Sequence, residues 1–193
     1  MPPADVIANS SVLSPSILIV PGLGNSGPGH WQSLFEAAYP HSVRVVQDDW
    51  LTVERQAWTG ALDAAIAAAP TPPVLVAHSG GCLAVVAWGS EPANRGRAAA
   101  ALLVAPPDIE TGGPDIPGRA SWLPLPQSPL PFPSFLVASR NDPYCSFERA
   151  AAFAQAWGSR LIDLGEAGHI NLVSGFGPWP KGQELLEQLI AGE

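Results

Sequence analysis

Four apolar residues in a row, Ile17-Leu18-Ile19-Val20, end at Pro21-Gly22. So short an uninterrupted run predicts a strand buried on both faces, as in a parallel sheet covered by helices. Apolar runs and helix-periodic segments then alternate down the chain. A helix over His30–Tyr39 stops at Pro40, and a strand follows at Val43–Val46. The Ala-rich segment Val53–Ala69, closed by Pro70, predicts a long helix. Next come a strand at Pro73–Ala77, a helix at Gly81–Trp88 and strands at Ala100–Ala105 and Phe135–Ser139. A helix at Phe147–Trp157, a strand at Arg160–Leu164 and a helix at Lys181–Ile190 complete the series. This rhythm implies right-handed βαβ units and a three-layer α/β/α sandwich around a mainly parallel six-stranded sheet. With the second strand on one side of the first and the third on the other, the spatial order is 2-1-3-4-5-6. The crevice at the carboxyl ends of strands 1 and 3 is then a switch point, where such sheets bind ligands. Residues 1–15, small, polar and Pro-containing, read as a flexible tail, and 16–193 as one domain.

One stretch breaks the rhythm. Between Pro106 and Pro133 prolines recur, with Gly112 and Gly113 among them, so regular elements do not persist there. A loop of that length in a compact domain is often functional, and it is expected to cover one edge of the site. A passive surface connection is the alternative.

Composition narrows the function. Hydrophobic residues make up 47% of the 193 and charged ones 13%, enough for one substantial core. The net charge of −8 and the absence of Lys/Arg runs argue against nucleic acid and against anionic membranes as partners. Apolar stretches fall far short of the roughly 20 residues that span a bilayer. The first 16 residues lack a basic-then-apolar leader, so a cytoplasmic setting with Cys82 and Cys145 reduced is expected. His30, His41, His78 and His169 are scattered, with no metal-ligand spacing, and no cofactor motif is present.

The strongest local signal is Val74-Leu75-Val76-Ala77-His78-Ser79-Gly80-Gly81-Cys82-Leu83-Ala84. A strand running through small-His-Ser-Gly-Gly into a small-residue helix is a nucleophile elbow, which holds a serine exposed on a sharp turn. Residues two before and two after the serine must be small. Gly81 fits, and Ala77 adds one methyl to the usual glycine. A simple Ser N-cap is the competing explanation.

A serine needs a histidine to take its proton and an acid to hold that histidine in one tautomer. In this fold, the α/β-hydrolase, the chain order is Ser, acid, His. Asn141-Asp142-Pro143 follows the fifth strand and Gly168-His169 the sixth, so Ser79, Asp142 and His169 stand in that order at strand ends. Asp108, after the fourth strand, competes with Asp142 for the acid; Asp163 lies inside a strand. Asp142 is preferred because Pro143 restricts its backbone. The amides of Leu23 and Gly80 are the expected oxyanion hole. Gly24, Asn25, His30 and Trp50 are expected pocket residues, with His30 also capping its helix. His78 is expected to brace the elbow, Trp31 to be core, and Glu166 and Asn171 to be solvated.

The block Pro21-Gly22-Leu23-Gly24-Asn25-Ser26-Gly27-Pro28-Gly29-His30-Trp31-Gln32 resembles the YdeN-like serine hydrolases, as do Asp49-Trp50, Trp58, the elbow and Asp142-Pro143-Tyr144. That family includes the retinoblastoma-binding-protein-nine type of hydrolase. The resemblance implies a compact α/β-hydrolase without a cap domain and triad roles for Ser79, Asp142 and His169. The expected activity is hydrolysis of small acyl substrates, chiefly carboxylic esters, with no cofactor or metal. The alternative is a protein-interaction module on a hydrolase scaffold with vestigial chemistry.

Overall fold

A computed structural model describes residues 16–111 and 116–192; the tail expected over residues 1–15 lies outside the described residues. Within these residues six strands form one sheet: β1 (Ile17–Val20), β2 (Ser42–Arg44), β3 (Val74–His78), β4 (Ala100–Val104), β5 (Ser134–Ala138) and β6 (Arg160–Asp163). Every neighbouring pair is parallel, and the order is β2-β1-β3-β4-β5-β6. Among the described residues five α-helices cover it: α1 (Trp31–Ala38), α2 (Arg55–Ala68), α3 (Gly80–Gly89), α4 (Phe147–Trp157) and α5 (Pro180–Ala191).

The central strands are apolar at consecutive positions because both faces are covered. Leu18, Val20, Leu75, Ala77, Leu103 and Leu136 pack with α2, α3 and α4 through Trp58, Leu62, Val86 and Phe153. Their neighbours Ile17, Ile19, Val76, Leu102 and Val137 point the other way, to Trp31 and Phe35 of α1 and Leu186 and Leu189 of α5. All ten residues of α3 are buried, which explains why its sequence has no polar face.

The edge strand differs from the sequence reading. Val43–Val46 was the expected span, but the ladder pairs Ser42–Arg44 with Ile17–Ile19, and Val43 and Val46 are exposed. On an edge, alternation replaces a continuous apolar run, and only Val45 turns into the core. The proline-rich connection is not passive. It forms a 3₁₀ turn, Arg119–Trp122, and buries Trp122, Leu125, Leu130 and Phe132. The Trp122 indole donates to the Val53 carbonyl at 2.6 Å, fastening the segment to the start of α2. Among the described residues no helical cap rises over the carboxyl edge, and no helix is long and apolar enough to cross a membrane.

The tightest packing lies where α3 leaves the sheet. A Cβ on Gly81 would stand 2.2 Å from the Val20 carbonyl oxygen and 2.7 Å from that of Pro21, both backbone. Gly81→Ala must therefore push α3 off β1. The expected cost is about 1–3 kcal/mol, the usual range for overpacking. Urea unfolding measures it, and a wild-type midpoint in the variant would contradict this account.

Candidate active site

At the carboxyl end of β3 the chain reverses into α3 through one residue. Ser79 has φ 52° and ψ −125°, a conformation that costs an L-residue about 1–3 kcal/mol. Its amide is held by the Val104 carbonyl at 2.9 Å, and its own carbonyl accepts from Cys82 N–H at 2.9 Å. Ser79 occupies the N-cap position of α3, yet its side chain makes no capping bond. The hydroxyl faces elsewhere. Gly22, after β1, presses on this turn, where a Cβ would lie 2.8 Å from Ser79 Cβ and 2.9 Å from Gly80 N.

The Ser79 hydroxyl meets His169, with Oγ 2.9 Å from Nε2. The opposite ring nitrogen, Nδ1, lies 3.0 and 2.9 Å from the two carboxylate oxygens of Asp142. A carboxylate only accepts, so Nδ1 carries the ring proton and Nε2 accepts from the serine hydroxyl. Both partner side chains are withdrawn from solvent, His169 to 7% exposure and Asp142 to 3%. Asp142 Oδ1 also accepts the Tyr144 N–H at 2.8 Å, which sets the carboxylate plane.

The His169 loop is braced from every side. Asn141 Oδ1 accepts Gly168 N–H at 2.7 Å and Ser174 Oγ accepts His169 N–H at 3.1 Å. The Trp31 indole donates to the Ile170 carbonyl at 2.8 Å, and His78 Nε2 lies 3.0 Å from the His169 carbonyl. Trp31 is wholly buried, as the sequence implied, whereas the His78 ring, expected to brace the elbow, hydrogen-bonds the His169 loop. Asp108 is occupied elsewhere, taking Arg149 Nε at 2.9 Å together with the Thr111 hydroxyl and the Glu110 amide. Asp163 pairs with Arg140 on the surface.

Three imidazoles stand in a row, His30 to His78 and His78 to His169, with ring centroids 5.0 Å apart at each step. Burial, the Arg44 charge and His169 lower the His30 pKa to about 4. Burial, then the neighbouring His169, holds His78 well below the ordinary histidine value. Both are neutral near pH 7. Burial likewise raises both thiols, Cys145 to about 12 and Cys82 further still.

Ser79 opens into a cavity of about 320 Å³ lined by Leu23, Asn25, His30, Gly80 and His169 among the expected residues. Two expected wall residues are not there. The Trp50 ring packs inward, edge-to-face on Trp58 at 6.1 Å, and the Trp50 carbonyl accepts the Gly24 N–H at 2.9 Å. Trp50 and Gly24 thus support the first loop instead of lining the cavity. The proline-rich segment contributes Pro107 and Ile116. Sequence reasoning missed Tyr144, Leu172 and Val173 as wall residues. Their signal was nearness in the chain to Asp142 and His169, and two exposed apolar residues in sequence, Leu172 and Val173. Asn171, expected to be solvated, lines the cavity too, and its Oδ1 accepts from Ser174. No Lys, Arg, Asp or Glu lines the cavity among the described residues. Among the described residues no group of three or more His, Cys, Asp or Glu could hold a metal ion.

Residues 17–188 match the model of a family described as serine hydrolase. The chain is 37% identical to a YdeN-like hydrolase from Pectobacterium atrosepticum, covering 91% of this chain and 90% of that one with a TM-score of 0.80. The ydeN gene product of B. subtilis aligns at 19% identity over 92% and 99% of the two chains, TM-score 0.76. Est1E from Butyrivibrio proteoclasticus, with ferulic acid bound, aligns at 15% identity over 92% and 90%, TM-score 0.69. At such identities the last two speak for the fold alone. No match was found among curated proteins.

The buried neutral imidazoles make stability pH-dependent. The unfolded chain binds protons near pH 6.5, whereas folded His30 does so only near 4 and burial holds folded His78 well below its ordinary value. The stability they contribute is therefore complete above pH 6.5 and is lost as pH falls toward 4. Urea unfolding between pH 7 and 5 should show stability falling with a limiting slope of about two protons per molecule. In His30→Asn the slope should shrink toward one. A flat profile, or stability rising on acidification, would refute the neutral burial of these rings.

Proposed function

The chain belongs to the serine hydrolase family, and we propose that it hydrolyses carboxylic esters of small acyl groups through an acyl-enzyme on Ser79. His169 Nε2 takes the Ser79 proton as Oγ attacks the ester carbonyl, and Asp142 stabilises the imidazolium that forms. The tetrahedral oxyanion is met by the amides of Gly80 and Leu23. His169 then returns the proton to the leaving alcohol, breaking the ester C–O bond. Water, deprotonated by His169 in turn, attacks the acyl-serine and frees the acid with regeneration of Ser79.

The observation that carries this reading is the bonded series Ser79–His169–Asp142, in which the serine hydroxyl is free of its capping role and points at Nε2. The proposed oxyanion hole is supported by the closeness of its two amides, since a Cβ on Gly80 would lie 3.6 Å from Leu23 N. The first amides of a helix also have no intrahelical acceptor and carry the positive end of its dipole. A modest cavity with no charged side chain among its described lining residues favours neutral substrates with short acyl groups over long-chain lipids.

Ser79→Ala should lose both nitrophenyl acetate hydrolysis and labelling by a fluorophosphonate probe. Folded wild-type protein that the probe leaves unlabelled would instead favour an interaction module. Asp142→Asn should lower kcat by up to about 10⁴-fold with KM little changed, because the imidazole loses its tautomer. Asp108→Asn, whose carboxylate serves Arg149, should cost stability and far less turnover. The reverse ranking, at equal folded fraction, would assign the acid to Asp108.

A further inference from the structure

Most polar side-chain atoms around the cavity are already committed. His78 Nε2 faces the His169 carbonyl, Asn171 Oδ1 serves Ser174, and Asn25 Oδ1 serves Ser26 and Arg44. His30 is different. Its Nδ1 accepts the Gln32 amide N–H at 3.1 Å as the N-cap of α1. An accepting Nδ1 carries no proton, so the neutral ring is fixed as the Nε2–H tautomer. Nε2 has no hydrogen-bond partner among the described residues, and it is not one of their fully buried unpartnered atoms. Because His30 is only 7% exposed and lines the cavity, that accessible N–H opens into it.

We infer that His30 is a substrate-binding residue whose Nε2–H donates a hydrogen bond to a neutral acceptor oxygen on the acyl or alcohol part of the ester. The inference rests on the ester-hydrolase reading and names the substrate class within it: oxygenated small esters, bearing an ether, hydroxyl or carbonyl oxygen besides the reacting group. Three features favour a neutral acceptor over a carboxylate or phosphate. Among the described residues no Lys or Arg lines the cavity, the chain carries a net charge of −8, and the donor is an uncharged imidazole. The depressed His30 pKa keeps that donor neutral throughout the physiological range. The ring is also rigid. It packs on Trp31 at 5.4 Å and on His78 at 5.0 Å between centroids, so little freedom is lost on binding. The other donors around the cavity are the side-chain amides of Asn25 and Asn171 and the hydroxyl of Tyr144; Asn25 and Tyr144 are exposed and Asn171 half-buried, so water competes there more than at His30.

The test compares isosteric esters that differ by one ether oxygen. Nitrophenyl pentanoate is paired with nitrophenyl methoxypropanoate, and butyl acetate with methoxyethyl acetate, each rate divided by its hydroxide-catalysed rate. For at least one pair the wild-type enzyme should favour the oxygenated ester about tenfold in kcat/KM, the worth of one neutral hydrogen bond. His30→Asn keeps a side chain able to cap α1 but withdraws the donor, and His30→Phe keeps the ring volume without it. In either variant the preference should fall to within about twofold of unity. A merely structural His30 would slow both esters alike and leave the ratio unchanged, which overturns the inference. A wild-type ratio near one in every pair overturns it without any variant, so a misfolded variant does not shield it. Failure to hydrolyse any of these esters would instead remove the ester-hydrolase reading on which it stands.

Discussion

Everything at this site depends on the single left-handed residue between β3 and α3. A parallel strand that must turn at once into a helix leaves its turning residue with φ 52° and its side chain on the outside of the bend. That conformation is sparsely populated for a serine and persists only where its surroundings enforce it. Here they do so by contact. Gly81 allows the β1 carbonyls of Val20 and Pro21 to reach α3, and Gly22 lets the first loop close against Ser79. The strain is stabilised by a core of ten consecutive buried residues in α3 and by the sheet on both sides of β3. The same geometry frees the hydroxyl from capping.

Once the serine is fixed, the remaining arrangement is a matter of holding one imidazole. His169 sits on a loop without regular structure, and such loops are mobile unless tied down. Its ties come from three distant segments: Trp31 at the start of α1, His78 at the end of β3, and Ser139 and Asn141 just after β5. Of these residues His78 also lines the cavity, so one side chain both steadies the histidine loop and borders the space in front of it. The cost is burial of two further histidines, which stay neutral because that environment cannot accept their charge.

Much of this was legible in the sequence because buried parallel strands leave so little ambiguity. Ile17–Val20, Val74–His78 and Ala100–Val104 appear where uninterrupted apolar runs predict them, and the order of the sheet follows from short right-handed connections. The meeting of Ser79, Asp142 and His169 was legible for a related reason: in this topology three successive strand ends converge on one edge. The walls were harder. Trp50 was expected to face the cavity, but a tryptophan buries whichever face finds a partner, and Trp58 supplies one only once α2 has docked. Leu172 and Val173 escaped notice because an exposed apolar pair on a 3₁₀ turn carries no periodicity. Val43–Val46 read as a four-residue strand because edge position is a property of the assembled sheet, not of the local sequence.

The account's central claim is that Ser79 becomes covalently acylated during turnover. It is tested most directly by quenching the enzyme with acid within its first turnovers of nitrophenyl acetate and mapping the adduct by peptide mass spectrometry. One acetyl group should appear on the peptide containing Ser79, forming no later than the nitrophenolate burst and decaying as acetate is released. Sustained turnover with Ser79 unmodified, or with the acyl group carried by another residue, would contradict the account.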